Sequence, residues 1–361
     1  MDRLFESMRF ACGVTMKNRF MLAPMTNQQS HDDGALSEDE FRWLTMRAQG
    51  GFGLTMTCAV HVHAQGQGFP RQLGIFSEDH LSGHQRLADS IKSAGSLAVI
   101  QLHHAGIRAP HDLIAGPPLG PSEDQNTGAR ALTHREVIAL REDFIMAAER
   151  AERAGYDGVE LHGAHGYLLC QFLSAANNRR GDEYGGDLDG RSRLLMEIIE
   201  GIRQRCRSDF LLGVRLSPER FGLALDEMQT LAQQLIDLGR IDFLDISLWD
   251  TFKAPEDPRY QDRSLLELFA RLPRGSVKLT VAGRLYHPQS LLRCLNAGVD
   301  FVSLGRAGII HHNYPHLLAQ DYEFSPQELP VTTDYLAREG LSDAFIEYMK
   351  RWPNFVTSGG S

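Results

Sequence analysis

The chain has 361 residues, with 37 Lys and Arg against 46 Asp and Glu, so its formal net charge is −9. With 42% hydrophobic and 23% charged residues, the composition is that of a globular protein, and the length allows one large domain or two ordinary ones. The negative balance gives no general attraction for nucleic acid or for an anionic membrane surface, so neither is expected as a partner.

The cysteines and the apolar segments indicate the compartment. The five cysteines are Cys12, Cys58, Cys170, Cys206 and Cys294. They are scattered and form no C-x-x-C pair, which argues against a disulfide framework or a zinc ribbon. Charges interrupt any signal-peptide core in the first 25 residues, and no uncharged apolar run reaches about 18 residues. We therefore expect a protein of the reducing cytoplasm without a membrane span.

Eight short apolar runs alternate with longer helix-like segments. The runs are continuous, as in parallel strands that are buried on both faces. Ser37–Glu40 and Thr133–Glu136 have the pattern of capping boxes at helix starts. The predicted strands are Phe20–Met25, Gly53–Val60, Leu97–His103, Gly158–His162, Leu211–Leu216, Phe243–Ser247, Val277–Val281 and Phe301–Leu304.

A local pattern recurs at Ala154–Leu161 and Ala297–Leu304, with a looser copy at Leu238–Ile246. Each copy has a glycine typical of a helix end, a tight turn and an entering strand, which is the joint of a repeating β/α unit. The alternative, an open doubly wound sheet, would usually carry G-x-G-x-x-G after its first strand, and none is present there. The pattern favours an α/β fold, a single (β/α)8 TIM barrel.

The remaining segments complete one barrel domain rather than a second domain. We predict a single domain over 1–361, with the barrel proper at about 18–318 and a C-terminal extension at 319–361 that contains a helix over Leu341–Met349. Residues 1–19 are expected to form a hairpin or plug ahead of the first strand. The Pro- and Gly-rich stretch 104–132 is too long for a plain joint and is expected to be a long active-site loop after strand three.

In such barrels the functional side chains gather at the carboxyl ends of the strands. The ends of strands seven and eight carry Gly283 and Gly305-Arg306. Glycine lets backbone N–H groups approach a phosphate, and arginine supplies a forked donor, so these residues form a candidate phosphate pocket. The alternative is that both glycines make tight turns and the arginines are solvated.

Two histidines follow strand four, in His162-Gly163-Ala164-His165. Two neutral N–H donors could converge on one oxygen of a ligand, while a structural pair and a metal site are the alternatives. His61-Val62-His63 is the main support for a metal-dependent barrel hydrolase. The pairs His103-His104 and His311-His312 are expected to be surface or loop histidines.

Arg215 is a charge inside an apolar strand, so it should face an anion or carbonyl in the barrel mouth. A structural salt bridge with Asp245 or Glu160 is the alternative. Gln101 is likewise a polar amide inside an apolar strand, and it should also face either a ligand or a structural partner.

These residues, in this order, resemble the old yellow enzyme family of FMN-dependent ene-reductases, over about Phe5 to His316. The most specific segments are His162–Leu168, Gln171–Ser174 and Asn178–Gly186. Supporting segments are Asn18–Phe20 leading to Ala23-Pro24-Met25-Thr26, then Gln101–Gly106, and finally Gly305-Arg306.

The resemblance implies bound FMN, with NAD(P)H as the reductant. It implies that Ala23, Pro24, Met25, Thr26 and Cys58 line the isoalloxazine ring, that Gln101 and Arg215 face its pyrimidine edge, and that Gly283, Gly305 and Arg306 hold the phosphate. No metal site is implied.

The resemblance also implies a ping-pong cycle in which hydride passes from flavin N5 to an α,β-unsaturated carbonyl or nitro compound. His162 and His165 would bind the substrate oxygen, and Tyr167 would donate a proton. Gln28 is an expected substrate contact, at a position where one bacterial branch of the family has tyrosine. Other possibilities are an oxidation, a nitroester reduction and a non-catalytic flavin-binding protein. Assembly into a homo-oligomer is left open, and Arg351-Trp352-Pro353 resembles a C-terminal segment that reaches a neighbouring subunit in some members.

Overall fold

The computed structural model describes residues 1–357 and contains a closed barrel of eight parallel strands, each hydrogen-bonded to the next and the eighth to the first. This confirms the predicted (β/α)8 barrel. In chain order the strands are β1 (Phe20–Leu22), β2 (Leu54–His61), β3 (Leu97–His103), β4 (Gly158–Gly163), β5 (Leu211–Leu216), β6 (Phe243–Ser247), β7 (Lys278–Ala282) and β8 (Phe301–Leu304).

Helices surround the barrel. They are α1 (Glu38–Gln49), α2 (Leu81–Ser93), α3 (His134–Arg153), α4 (Leu168–Leu173), α5 (Leu188–Arg205), α6 (Leu225–Leu238), α7 (Leu265–Ala270), α8 (Pro288–Asn296), α9 (Arg306–Ile310), α10 (Tyr314–Gln320), α11 (Thr333–Arg338) and α12 (Asp343–Lys350). In residues 1–357, no helix is both long enough and apolar enough to cross a membrane.

The predicted capping boxes have different outcomes. Thr133 and Glu136 form the reciprocal box at the start of α3. Ser37 caps α1 by accepting from the Glu40 N–H, but the Glu40 carboxylate instead accepts from Asn27 and Ser30. The buried Glu40 therefore holds the loop after β1 instead of closing the box.

Strand β1 is shorter than predicted and ends at Leu22. The Ala23 N–H still donates to the Leu304 carbonyl, at 3.0 Å. Pro24 has no N–H with which to continue the ladder, so Pro24–Thr26 leave the sheet. These residues consequently begin a loop at the carboxyl end of the barrel.

The opposite end of the barrel is closed by the predicted N-terminal hairpin, in which Met8–Arg9 pairs antiparallel with Thr15–Met16. The Phe10 ring lies 6.0 Å from that of Phe243 and 5.8 Å from that of Phe301. This end is therefore an apolar plug.

The long loop after β3 is also present. It runs from His104 to the start of α3 and contains a short ribbon, Leu119–Gly120 with Arg130–Ala131. The side chain of Arg180 donates to carbonyls of this loop at Pro121 and Leu132. The loop is thus attached to the segment that follows α4.

The C-terminal extension packs against the barrel through α1. The rings of Trp43 and Phe345 meet at 5.4 Å, and the Ser342 N–H donates to Gln29 Oε1 at 3.0 Å. The predicted helix at Leu341–Met349 is observed as α12, displaced by one or two residues. The last part of the predicted extension, 358–361, lies outside the described residues, and the single-domain boundary stays a prediction.

Candidate active site

The loops at the carboxyl end of the barrel contain most of the strained backbone. In residues 1–357, eight residues other than glycine have positive φ, namely Gln28, Arg71, His165, Arg220, Phe221, Trp249, Arg284 and Asn354. Of these eight, only Asn354 lies outside the loops at the carboxyl end. Such conformations cost free energy and tend to cluster at functional sites. The backbone therefore indicates this end of the barrel before any side chain is considered.

A polar layer crosses the barrel beneath that end. Gln101 Nε2 donates to Glu160 Oε1 at 2.7 Å, and Arg215 Nε lies 3.0 Å from Asp245 Oδ2. The strand register explains this arrangement, because Gln101 pairs with Glu160 and Arg215 with Asp245. The predicted alternative of a structural salt bridge to Asp245 is thus observed.

The charges of this layer balance when one of its two carboxyl groups holds a proton. Burial, and then the nearby Asp245 carboxylate, raise the pKa of Glu160 to about 8. Burial also raises the pKa of Asp245, against the effect of Arg215. One guanidinium therefore faces two carboxyl groups, and Glu160 holds its proton at neutral pH.

His162 and His165 converge above this layer. His162 Nε2 lies 3.0 Å from His165 Nδ1, and His165 Nε2 lies 2.6 Å from Ser247 Oγ. The backbone N–H of His165 donates to Ser217 Oγ at 3.0 Å, which helps to hold the left-handed backbone of His165 at φ 61°. A ligand oxygen that accepts from both imidazoles would replace their mutual hydrogen bond.

Both imidazoles are uncharged at neutral pH. Burial, followed by the charge of Arg215, lowers the pKa of His165 to about 3, and burial lowers the pKa of His162 well below its usual value. His162 Nδ1 is buried and has no hydrogen-bond partner within residues 1–357. The pair can thus donate to a ligand without bringing a formal charge.

Tyr167 lies beside the pair, with its ring centroid 5.2 Å from that of His162. The guanidinium of Arg108 lies 4.6 Å above the Tyr167 ring and also donates to the His165 carbonyl oxygen. Sequence reasoning missed Arg108. Its position in the long loop after β3 was the one available signal, because that loop was expected at the active site.

The expectation of surface or loop histidines is wrong for His103, which ends β3, whereas His104 lies in the following loop but away from the surface. They are 1% and 2% exposed, and the His103 ring meets Tyr167 edge-on at 4.4 Å. His103 ends β3 two positions after Gln101, so both side chains point to the same face of the strand. That spacing could have revealed it. His311 is also buried, at 7% exposed.

The residues predicted to line a flavin ring occupy two places. Pro24, Met25 and Thr26 are half-buried at the mouth, and within residues 1–357 no hydrogen bond uses the backbone N–H of Met25 or Thr26. The Cys58 side chain instead belongs to the helix-facing core, at 1% exposed, where Glu40 lies beside it. Any contact of Cys58 with a cofactor would therefore use its backbone.

The candidate phosphate residues also differ among themselves. Gly283 has φ 154° and lies against the loop after β6, because a Cβ there would be 3.0–3.1 Å from backbone atoms of Trp249, Asp250 and Thr251. Gly305 is open, with Met25 Sδ 3.6 Å from a Cβ placed there. Arg306 is exposed beside it.

Two aromatic side chains that sequence reasoning missed stand at the rim. Phe221 is 36% exposed and Trp249 is 54% exposed, and the Phe221 ring lies 6.5 Å from that of His165. They lie in irregular loops after β5 and β6, where no periodicity marks them. Both are therefore accessible to a ligand that is bound at His165.

The C-terminal extension reaches the same mouth within one chain. The Tyr348 side chain lies beside that of Thr26, and the Trp352 ring lies 6.0 Å from the Arg306 guanidinium. The predicted approach to a neighbouring subunit stays a prediction.

His61 and His63 do not form a metal centre with other ligands. The His61 Nδ1 atom instead lies 3.0 Å from the His63 carbonyl oxygen. No group of three or more His, Cys, Asp or Glu side chains arranged for a metal ion occurs among the residues that the structure describes.

Comparison with known proteins identifies the family. The pattern of the NADH:flavin oxidoreductase / NADH oxidase family matches residues 3–323. The chain is 34% identical over 322 residues to the probable NADH-dependent flavin oxidoreductase YqiG of Bacillus subtilis, a match covering 86% of each chain. It is 38% identical over 302 residues to the NADPH dehydrogenase of Halalkalibacterium halodurans, a match covering 81% of this chain and 87% of that protein.

A solved structure and a longer relative extend the comparison. The old yellow enzyme homologue from Zymomonas mobilis matches with a TM-score of 0.80 at 27% identity, over 94% of this chain and 99% of that chain. The chain spans only 33% of the NADH:acrylate oxidoreductase of Vibrio harveyi, at 30% identity.

The chain belongs to the NADH:flavin oxidoreductase / NADH oxidase family, and its resemblance to old yellow enzyme is confirmed. The predicted enzyme class is confirmed with it: the protein is an NAD(P)H-dependent flavin oxidoreductase, with FMN as the cofactor. This class replaces the metal-dependent hydrolase that His61 and His63 suggested.

Proposed function

We propose that the protein reduces activated C=C bonds of α,β-unsaturated carbonyl or nitro compounds. The observation that carries this proposal is the neutral His162–His165 pair, which lies beside Tyr167 at the carboxyl end of the barrel. Two uncharged N–H donors suit the oxygen of a carbonyl or nitro group, which gains negative charge as the β-carbon accepts a hydride.

The residues at the mouth fit FMN. A half-buried strip with unused N–H groups, at Met25 and Thr26, suits a flat ring with acceptor atoms at its edge. Gln101 and Arg215 would serve the polar edge, while Gly305 and Arg306 would receive the phosphate. When bound, FMN supplies the substrate with a hydride obtained from NAD(P)H.

The histidine pair would bind and polarise the substrate oxygen. Burial keeps both rings neutral, so the pair does not hold an anionic ligand by formal charge. Its N–H donors nevertheless attract the oxygen more strongly as negative charge develops on it than while the carbonyl is neutral. Ser247 and Ser217 fix His165 from its ring and from its backbone. The substrate is therefore oriented by a preorganised set of dipoles.

Tyr167 would donate the proton to the α-carbon. Its ring is contacted by the Arg108 guanidinium and by the His103 ring, which meets it at an angle of 78°. These contacts limit the rotation of the ring, so that its hydroxyl is positioned for transfer. Arg108 also donates to the carbonyl oxygen of His165, which links the proton donor to the oxygen-binding residues.

The experiment that tests the proposal is anaerobic reduction followed by reoxidation. NADH or NADPH should bleach the visible band of the FMN-loaded protein, and cyclohexenone should restore it with one equivalent of saturated ketone formed. The His165→Ala variant should be bleached normally and be reoxidised slowly by the enone, with His134→Ala as a surface control. Bleaching without reoxidation by enones, maleimides or nitroalkenes would refute the proposal.

The same panel addresses a nitroester reduction, because a nitroester in place of the enone would then be the fastest oxidant of the reduced protein. A physiological oxidation would instead bleach the flavin with the substrate in place of NAD(P)H. A non-catalytic flavin protein would not be bleached at all. The cytoplasmic location and the homo-oligomer stay predictions.

A further inference from the structure

His103 is a third imidazole at the histidine pair. It is 1% exposed, and its ring lies edge-on to Tyr167 at 4.4 Å and 5.4 Å from the ring of His162. None of the roles assigned so far uses its polar atoms. The question is which ring nitrogen carries the proton and what that proton serves.

Gln72 answers the first part. Its Oε1 accepts from the Gly68 N–H at 2.7 Å, so the other end of the amide is the NH2 group. That group donates to the Ala59 carbonyl at 2.6 Å and lies 3.2 Å from His103 Nδ1. A backbone N–H can only donate and a carbonyl can only accept, so the orientation of the Gln72 amide is fixed.

His103 Nδ1 must therefore accept. Burial, followed by the charges of neighbouring histidines and Arg108, lowers the pKa of His103 to about 3. The ring is neutral at working pH, and its single proton is on Nε2. This assignment rests on the chain from Gly68 through Gln72 to the imidazole.

The resulting Nε2–H is a donor without an acceptor. His103 Nε2 is buried and has no hydrogen-bond partner within the described chain. Proteins rarely leave a buried N–H unsatisfied unless a water, an ion or a ligand completes it. Its ring neighbours, His162 and Tyr167, are the residues proposed to bind and protonate the substrate.

We propose that His103 is a substrate-binding residue, whose Nε2–H donates to a second oxygen of the substrate beside the oxygen bound by His162 and His165. This inference rests on the proposed function. It specifies the substrate class further, as alkenes activated by a group with two acceptor oxygens on one atom, such as the uncharged nitro group or an ester.

The tautomer is tested first, in protein without substrate. In a 15N-histidine-labelled sample, the resonances that disappear in His103→Phe identify His103. We expect Nε2 to carry the proton and Nδ1 to be the bare nitrogen, with no titration between pH 5 and 8. Protonation at Nδ1 would overturn the inference directly.

The ligand role is tested with two probes of similar size and no charge, acetophenone with one acceptor oxygen and nitrobenzene with two. Binding to the oxidised FMN-loaded protein is measured by calorimetry. His103→Phe keeps a ring but removes the donor, and we expect about 3- to 10-fold weaker binding of nitrobenzene with acetophenone changed less than about 2-fold. His103→Gln keeps an N–H donor and should retain most of the nitrobenzene affinity.

The outcomes separate the two proposals. Equal losses for both probes in His103→Phe, or no loss for either, would overturn the role of His103 while the histidine pair still binds acetophenone. If neither probe binds the wild-type protein, the oxygen-binding site of the proposed function fails and this inference fails with it. His103→Gln gives an independent reading if the phenylalanine variant is poorly folded.

Discussion

The two ends of the barrel differ in chemical character, one being apolar and the other polar. At the amino end, Phe10, Phe243 and Phe301 form a mutually packed aromatic cluster under the hairpin. At the carboxyl end, buried polar atoms such as His103 Nε2 and His162 Nδ1 have no partner within residues 1–357, and the loops carry left-handed residues.

This difference separates the residues that stabilise the fold from the residues that serve function. Apolar contacts at the amino end stabilise the fold and have no chemistry to perform. Unsatisfied donors and strained backbone at the carboxyl end cost stability and are retained where a ligand can complete them. Substitutions at the two ends should accordingly affect different measurements.

The largest effect is expected from Phe243→Ala in the apolar plug. Phe243 is fully buried and lies directly against Gly213, so truncation should lower the free energy of unfolding by about 3–5 kcal/mol. Chemical unfolding measures this change, with FMN content and phenol affinity expected to stay near wild type. Phe221→Ala, at the exposed rim, is the matched control and should cost less than about 1 kcal/mol.

Nearly as large an effect is expected from Arg215→Met in the polar layer. The variant leaves the buried carboxyl groups of Asp245 and Glu160 without their cation, a loss of about 3–5 kcal/mol. FMN content or the flavin reduction potential should fall as well. Adding Asp245→Asn should recover part of the stability, and wild-type stability and flavin properties in the single variant would contradict the role of Arg215.

A smaller effect, confined to the carboxyl end, is expected from His162→Ala and His165→Ala. Each should weaken binding of a para-substituted phenol to the oxidised FMN-loaded protein by roughly 1.5–3 kcal/mol, about 10- to 150-fold, because a donor to the ligand oxygen is lost. Calorimetry measures the affinity, and unfolding should change little by comparison. Unchanged affinity in both variants would remove these histidines from the site.

The smallest effect is a pH dependence set by Glu160. Its pKa is about 8 in the folded protein against the usual 4.5, so between these values the folded protein holds a proton that the unfolded chain releases. Stability should therefore fall as pH rises from about 4.5 to about 8. In Glu160→Gln this decline should be smaller by at least about 1 kcal/mol between pH 5.5 and 8, and parallel profiles for the two proteins would contradict the raised pKa.

The fold was largely predictable because parallel strands that are buried on both faces leave continuous apolar runs in the sequence. The exception, at β1, has a local cause in Pro24. His162 and His165 were predictable as a pair, since both follow one strand at short spacing. Gln101 and Arg215 were recognisable as polar residues in apolar strands, but only the register between strands shows their carboxylate partners.

Other parts of the site depend on contacts that are distant in sequence. The tautomer of His103 is set by Gln72, which belongs to a different loop. Arg108, Phe221 and Trp249 lie in irregular segments, where no periodicity predicts the direction of a side chain. Tyr348 meets Thr26 only because α12 packs on α1.

The position of the C-terminal extension has a practical consequence for handling the protein. Tyr348 and Trp352 lie beside Thr26 and Arg306 at the reactive mouth, while the N-terminal hairpin covers the opposite end of the barrel. An affinity tag, a fluorophore or a surface linkage is therefore better attached at the N-terminus. Immobilised in that orientation, the enzyme would present its open face to substrate.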